Sequence, residues 1–201
     1  MSLEQEAKFI LTDTEACRIR IIDMGGRSKG RVFETNVCYE DEKNSLAGKK
    51  SILRLRQDRI VRLTHKSPPA GENREVKAMN EIEVSVSDFN AMDQILRTIG
   101  FHPAQTYEKW RETFLLDGAE LCLDTMPFGD FLEIEGTPDQ VKSISAALAL
   151  SWEKRILANY LSIFAMIKEK EPLTFNDITF DNFKSRPVEL NRYAAMIEAG
   201  A

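Results

Sequence analysis

The stretch Leu3–Phe9, LEQEAKF, decides how this chain is read. In an extended strand, side chains alternate between faces, so Glu4, Glu6 and Lys8 all point the same way. Two carboxylates about 7 Å apart on one face repel each other unless something between them carries positive charge. The oddity recurs along the sequence. Arg54 and Arg56 flank Leu55, Glu81 and Glu83 flank Ile82, Lys109 and Arg111 flank Trp110, and Glu133 and Glu135 flank Ile134. Lys66 shares a face with Arg62 and Thr64, and Asp124 shares one with Cys122. The opposite faces are apolar, among them Leu53 and Leu55, Ile82 and Val84, Trp110 and Phe114, Leu121 and Leu123, Leu132 and Ile134. Such faces call for cover by helices or by one another.

Around these strands the punctuation is regular. Thr12 or Asp13 caps a helix running to about Met24, with Gly25 and Gly26 as its stop. RVFETNVCYED is a strand, SILRLRQ and RIVRLTHK form a hairpin near Asp58, and SPPAGEN is a loop. NEIEVSV leads into a helix carrying Phe89, Met92, Leu96 and Ile99, which Gly100 ends. EKWRETFLLD and AELCLDTM turn at Asp117-Gly118, and FLEIEG is the last strand. Thr137-Pro-Asp-Gln140 is a capping box opening a helix to about Leu150, and a second helix is expected from Trp152 to about Lys168. The chain of 201 residues is read as one domain over residues 1–171 and a tail over 172–201. The tail's Phe175, Phe180 and Phe183 dock on the domain, where it gates one mouth while remaining dispensable for folding.

Charged residues make up 29% and apolar residues 43%, with a net charge of −5. That balance describes a folded globular protein without a basic footprint for nucleic acid, and the mostly antiparallel strands with helices interposed make it α+β. No apolar run reaches the length of a membrane span. Cys17, Cys38 and Cys122 are odd in number and lack metal-ligand spacing, so a reducing cytoplasm is the expected setting. One charged strand face is ordinary solvated surface. Five same-sign pairs segregated by strand instead suit a cavity that binds cations and anions together. If the sheet closes on itself, the charges line a barrel interior and must be paired or coordinated there. Carboxylates are hard ligands for Mg2+ or Mn2+, and Arg and Lys pairs suit phosphate oxygens. A divalent ion with several phosphates in one channel means a nucleoside or other triphosphate.

In order, EQEAK, ILRLR, LTHK, EIEV, EKWRETF and LCLDTMPFGDFLEIEG resemble the motifs of the CYTH superfamily, the triphosphate tunnel metalloenzymes that include class IV adenylate cyclases and thiamine triphosphatases. The resemblance covers roughly residues 3 to 168. It implies a closed eight-stranded antiparallel barrel with helices packed outside. It also implies metal ligation by Glu4, Glu6, Asp124, Glu133 and Glu135, with Glu81 and Glu83 as additional candidates. Phosphate binding falls to Lys8, Arg54, Arg56, Lys66, Lys109 and Arg111. Glu4, Glu6 and Lys8 form the catalytic set, Lys8 staying protonated beside carboxylates and supporting phosphate. Phe128-Gly129 stands where family members often carry Leu-Gly, a matter of turn packing.

Arg74 and Lys77 read as solvated loop charges. His65 and His102 read as packing or surface residues. The aromatic stripe with Tyr160 and Phe164 reads as helix packing, and Gly25-Gly26 before Arg27, Lys29 and Arg31 as a helix stop and basic turn. The expected activity is metal-dependent hydrolysis of a triphosphate. The alternative is class IV cyclisation of ATP to cyclic AMP and pyrophosphate. A non-catalytic phosphate-binding module is disfavoured because none of the expected carboxylates is missing. Oligomeric state is left open, a dimer being one option. Replacing Arg54 or Arg56 by Ala is expected to weaken triphosphate binding and, by relieving repulsion in an empty channel, to raise thermal stability slightly, which ligand titration and melting curves measure.

Overall fold

The computed structural model describes residues 1–71 and 75–198. Eight antiparallel strands close into a barrel in the order β1-β5-β4-β3-β2-β6-β7-β8, β8 pairing back onto β1. They are β1 (Ser2–Leu11), β2 (Arg27–Asp41), β3 (Ile52–Gln57), β4 (Val61–Ser67), β5 (Lys77–Val86), β6 (Phe101–Leu116), β7 (Ala119–Met126) and β8 (Gly129–Glu135). The closed α+β barrel implied by the resemblance to the CYTH motifs is what forms. Two strands are longer than their motifs suggested, because β2 and β6 pair with each other along almost their whole length. The residues after Gly26 therefore begin a strand, where the sequence suggested a basic turn.

The turns follow local chemistry. Asp117 and Gly118 both adopt positive φ, 50° and 80°, as a two-residue hairpin twisted to match its strands requires. Gly129 is tight for a different reason. A Cβ there would lie 2.5 Å from Leu190 Cδ2, so the turn before β8 closes only around a glycine.

Helices cover the outer face in two places. α1 (Thr14–Asp23) is capped by Asp13, which accepts a hydrogen bond from the Ala16 amide, and α4 (Pro138–Ala147) by the Thr137/Gln140 capping box. Cys17 and Ile21 of α1, with Val141 and Ile144 of α4, bury the outward residues of β1, β7 and β8, including Phe9, Leu121, Leu132 and Ile134. A one-turn helix, α2 (Ser45–Gly48), joins β2 to β3, and Leu96 of α3 (Phe89–Thr98) packs with Tyr39 and Leu55. The cover is incomplete. Ile82 and Val84 on β5 are 55% and 54% exposed, so the apolar face expected to be covered there is not.

The helix expected from Trp152 to Lys168 is broken in two. Trp152–Lys154 form one 3-10 turn, after which the chain is extended, and the amide and carbonyl of Ile156 both bond to Lys8 of β1, at 2.8 and 3.1 Å. Asn159 then caps a new helix, α5 (Tyr160–Lys170). Burial of Ile156 beside β1 outweighs continuation of the helical period, since the side chain is fully enclosed there.

The segment after Pro172 carries two short helices, α6 (Phe180–Lys184) and α7 (Ala194–Ile197). Its Leu173, Ile178, Phe183, Leu190, Tyr193 and Ile197 are buried in one cluster with Tyr160, Ile163, Phe164 and Ile167 of α5. Phe175 stacks on Phe164 at 6.1 Å between ring centroids, and the Phe180 ring lies 6.1 Å from Phe33 on β2. Among the described residues, no helix is long and apolar enough to cross a membrane. With so many buried apolar side chains after Pro172, a chain ending at Glu171 should lose more than about 3 kcal/mol of stability. Chemical denaturation measures the loss, and an unchanged midpoint would show the cluster to be dispensable.

Candidate functional site

Strand alternation carries the paired charges inward. Around the barrel the interior presents Glu4, Glu6 and Lys8 from β1, Lys77, Glu81 and Glu83 from β5, Lys66 from β4, and Arg54 and Arg56 from β3. Glu34 and Asn36 of β2, Lys109 and Arg111 of β6, Cys122 and Asp124 of β7, and Glu133 and Glu135 of β8 complete the circuit. All of them except Asn36, Cys122 and Asp124 line a cavity of about 410 Å³. Every site residue expected from sequence other than Asp124 is thus brought to the wall of one chamber.

The chamber has an acidic wall on β8 and β1. Carboxylate oxygens of Glu4, Glu6 and Glu135 all lie within 4.8 Å of one another, and a second group joins Cys122 to Glu133 and Glu135 over the same span. Three converging carboxylates in a buried setting are a hard-oxygen donor set of the kind Mg2+ or Mn2+ takes, so the residues fit a divalent ion. Their electrostatics agree. Burial, then the neighbouring Glu133, Glu4 and Glu6 carboxylates, pushes Glu135 well above the usual range. Burial and Glu133 also push Glu6 up, but Lys77, Lys8 and Lys66 outweigh them and hold it at about 2.

Lysines tie this wall together. Lys8 is 2% exposed; its ammonium contacts Glu6 and lies 2.8 Å from Glu133. Burial would lower its pKa, but Glu133 and Glu6 raise it above that of free lysine, so it stays charged. Lys66 contacts Glu4 and lies 2.7 Å from Glu81. Lys77, read from sequence as a solvated loop charge, instead opens β5 and reaches Glu6 at 2.6 Å. It is paired with Glu6 across the β1–β5 ladder, and that register turns it inward. Arg74 lies outside the described residues.

The facing wall is cationic and better ordered than its motifs suggested. Arg111 forks onto Asp124, with Nε to Oδ1 at 2.7 Å and Nη2 to Oδ2 at 2.6 Å, and Nη2 also donates to Glu133 at 2.9 Å. Lys109 donates to Asp124 at 3.0 Å. Asp124, implied as a metal ligand, sits apart from both converging groups, its oxygens taken by these cations and by the Tyr160 hydroxyl at 2.7 Å. Glu81 and Glu83 are likewise engaged elsewhere. Glu81 pairs with Lys66, while Glu83 accepts from Thr64 at 2.7 Å and faces Arg62 at 3.5 Å.

Glu34, absent from the motif set, is the acid inside the basic wall. It lies 3.5 Å from Arg56 and 3.6 Å from Lys109. Burial would raise its pKa, but Lys109, Arg56, Arg111 and Arg54 drive it far below the usual carboxylate range. Arg54 donates to the Tyr107 hydroxyl at 3.0 Å, and Arg56 Nε donates to Asn36 at 3.1 Å. The two arginines therefore do not merely repel each other. Removing either leaves buried Glu34 or Tyr107 short of a partner, so a gain in stability is no longer expected. Arg54 Nε and Asn36 Nδ2 remain buried without a hydrogen-bond partner; Arg54 lines the chamber, where an anionic oxygen would satisfy its donor.

Several of these residues left a faint signal in sequence. Glu34 and Asn36 share one face of β2 with Val32 and Cys38, the right phase for the interior, but a single acid attracts no notice beside paired ones. Tyr160 was placed in a packing stripe, whereas its ring lies 5.4 Å from the Lys8 ammonium and 5.2 Å from that of Lys109. His65 and His102 do not line the chamber.

Known structures share this architecture. A candidate adenylate cyclase from Vibrio parahaemolyticus superposes with a TM-score of 0.73 at 17% identity, over 82% of this chain and 98% of that one. A Pyrococcus horikoshii protein gives 0.69 at 24% identity, over 84% and 99%. A Hippeastrum protein proposed as an adenylyl cyclase, and described as having a dominant triphosphatase activity, gives 0.60 at 17% identity, over 83% and 96%. At these identities the likeness concerns the fold. No curated protein sequence matches the chain significantly. The model of the CYTH domain matches residues 2–157, which span all eight strands, α4 and the 3-10 turn at Trp152–Lys154, and the chain belongs to the CYTH family.

Proposed function

We propose that the protein is a divalent-metal-dependent phosphohydrolase acting on a triphosphate held in the barrel. The observation that carries this reading is the juxtaposition, inside one cavity, of three carboxylates within 4.8 Å of each other and a facing wall of Arg54, Arg56, Lys109 and Arg111. In this reading Glu4, Glu6 and Glu135 hold the ion, with Glu133 alongside. A bound Mg2+ or Mn2+ supplies positive charge and Lewis acidity at phosphate oxygens.

The chain's own groups do the rest. Arg54 and Arg56 grip phosphate oxygens, Arg54 oriented by Tyr107 and Arg56 by Asn36. Lys109 and Arg111 neutralise charge that develops on the transferring phosphoryl group, and Asp124 fixes both in place, a positioning role we assign to it instead of metal ligation. Lys8 stays protonated and supports phosphate. Hydrolysis needs only water in line with the terminal phosphorus, whereas cyclisation also requires a ribose folded back on the α-phosphate.

Purified protein incubated with tripolyphosphate or ATP and Mg2+ or Mn2+ should release orthophosphate faster than it forms cyclic AMP. Cyclic AMP and pyrophosphate in equal amounts from ATP, with little orthophosphate from either substrate, would make it a cyclase. Glu4→Gln and Glu6→Gln should each fold and lose about 100-fold or more of the metal-dependent turnover, since the amide keeps size but not charge. Full activity in both would remove the metal assignment.

Glu135 provides a test independent of turnover. Its folded pKa lies above the unfolded value, so its contribution to stability is complete below the unfolded value and is lost as pH rises through the folded one. Metal-free Glu135→Gln should therefore melt like the wild type in acid and above it at neutral and alkaline pH, while losing the gain in Tm that Mn2+ gives the wild type. Melting curves that run parallel to wild type at every pH would contradict the convergence of carboxylates at this position.

A further inference from the structure

The inward rows of the barrel change character along its axis. On β1 the row Glu4, Glu6, Lys8 ends in Ile10, and on β3 Arg56 and Arg54 are followed by Ile52. On β6 Arg111 and Lys109 give way to Tyr107, and on β8 Glu135 and Glu133 give way to Phe131. Alternation obliges these apolar ends to point into the barrel with the charges they follow. They nevertheless lie in the cluster built by Tyr160, Ile163, Phe164 and Ile167. α5 is therefore a stopper seated in one mouth of the barrel, beyond the role of an outer covering helix.

Tyr160 is the residue where the stopper meets the charged chamber. It is 6% exposed, and its ring packs edge-on against Phe131 at 5.2 Å. Its hydroxyl is fixed by Asp124 and its face is flanked by Lys8 and Lys109. At the other end the chamber is lined by Lys29, Arg59, Arg62 and Glu120. Lys29 there is half exposed and pairs with Glu120 at 2.6 Å.

We infer that the chamber is blind at the α5 end, with Tyr160 as its floor, and that it accepts phosphoanhydrides only by an unesterified terminal phosphate. This rests on the triphosphate reading above and adds a direction to it. A phosphate chain enters from the mouth at Lys29 and leads with its free end, because a substituent on that end would have to occupy the space of the Tyr160 ring. Lys8, Lys109 and Arg54, the cations next to the floor, then face the terminal phosphate. Any organic group stays at the open mouth. The substrate class is a linear phosphoanhydride with at least one free end, and chains esterified at both ends are excluded. Tyr160 is thereby a specificity-determining residue.

Calorimetric titration of the full chain in Mg2+ tests this with the β,γ-imido analogue of ATP, which has one free end, and diadenosine tetraphosphate, which has none and matches ATP in charge. The imido analogue should bind, and the doubly esterified compound at least about tenfold more weakly, a difference of ~1.4 kcal/mol. Equal affinity of the two for the wild type would overturn the closed floor while leaving the triphosphate reading intact. Binding of neither would overturn that reading and this inference with it. Tyr160→Ala should narrow the gap at least about threefold, and Tyr160→Phe, which keeps the ring, should preserve it. A folded Tyr160→Ala with an unchanged gap would remove Tyr160 as the determinant, and the wild-type comparison stands if that variant does not fold.

Discussion

Lys8, buried between Glu6 and Glu133, shows the constraint on which the whole barrel depends. Closing an antiparallel sheet sends every second side chain into an enclosed space, and in this chain those side chains are charged. A charge removed from water is tolerated only beside an opposite one, with its remaining donors or acceptors satisfied. The barrel meets that demand internally. Lys8, Lys66 and Lys77 neutralise the carboxylates of β1, β5 and β8, and Asp124 and Glu34 neutralise the cations of β6 and β3. The outer face bears the ordinary burden of stability, through α1, α4 and the apolar rows they cover.

Self-neutralisation also explains how such an interior can bind ligands of both signs. Under the proposed function each internal pair is one that a ligand would replace. A cation at the converging carboxylates would take over the work of the lysines, leaving them free to face phosphate, and the phosphate would take over that of the acids on the opposite wall. Burial, with the Glu133, Glu4 and Glu6 carboxylates beside it, raises the pKa of Glu135, which is where the internal arrangement is least compensated. The partnerless Arg54 Nε marks the corresponding shortfall on the basic side.

Much of this was legible in sequence because strand parity is strict. Same-sign residues two apart on five strands mark one shared face as an unusual one, and parity thereby picks out most of the inward residues, while the closed eight-stranded barrel was implied by the resemblance to the CYTH motifs and its strand order is a finding of the structure. What parity does not reveal is who pairs with whom. Asp124 has the phase of a metal ligand, but its neighbour across the ladder is Arg111, and that contact claims it. Lys77 looked like a loop charge because SPPAGEN precedes it, and only the β1–β5 register places it against Glu6. Tyr160 was hidden more deeply. Its stripe has helical spacing, and a helix that covers a barrel wall has the same pattern as one that fills a barrel mouth. The break at Ile156, which aims α5 into the mouth, is a tertiary contact with Lys8 that no local signal announces.

The central claim is that metal and triphosphate together replace the barrel's internal ion pairs, each vacating groups the other needs. Their binding is then positively coupled. The most direct measurement is the thermal stability of the wild-type protein with Mn2+ alone, tripolyphosphate alone and both, at concentrations held fixed. The account predicts a shift with both ligands that clearly exceeds the sum of the separate shifts, and it predicts that Glu6→Gln reduces the pair to the effect of tripolyphosphate alone. Strictly additive shifts in the wild type, or none, would contradict it.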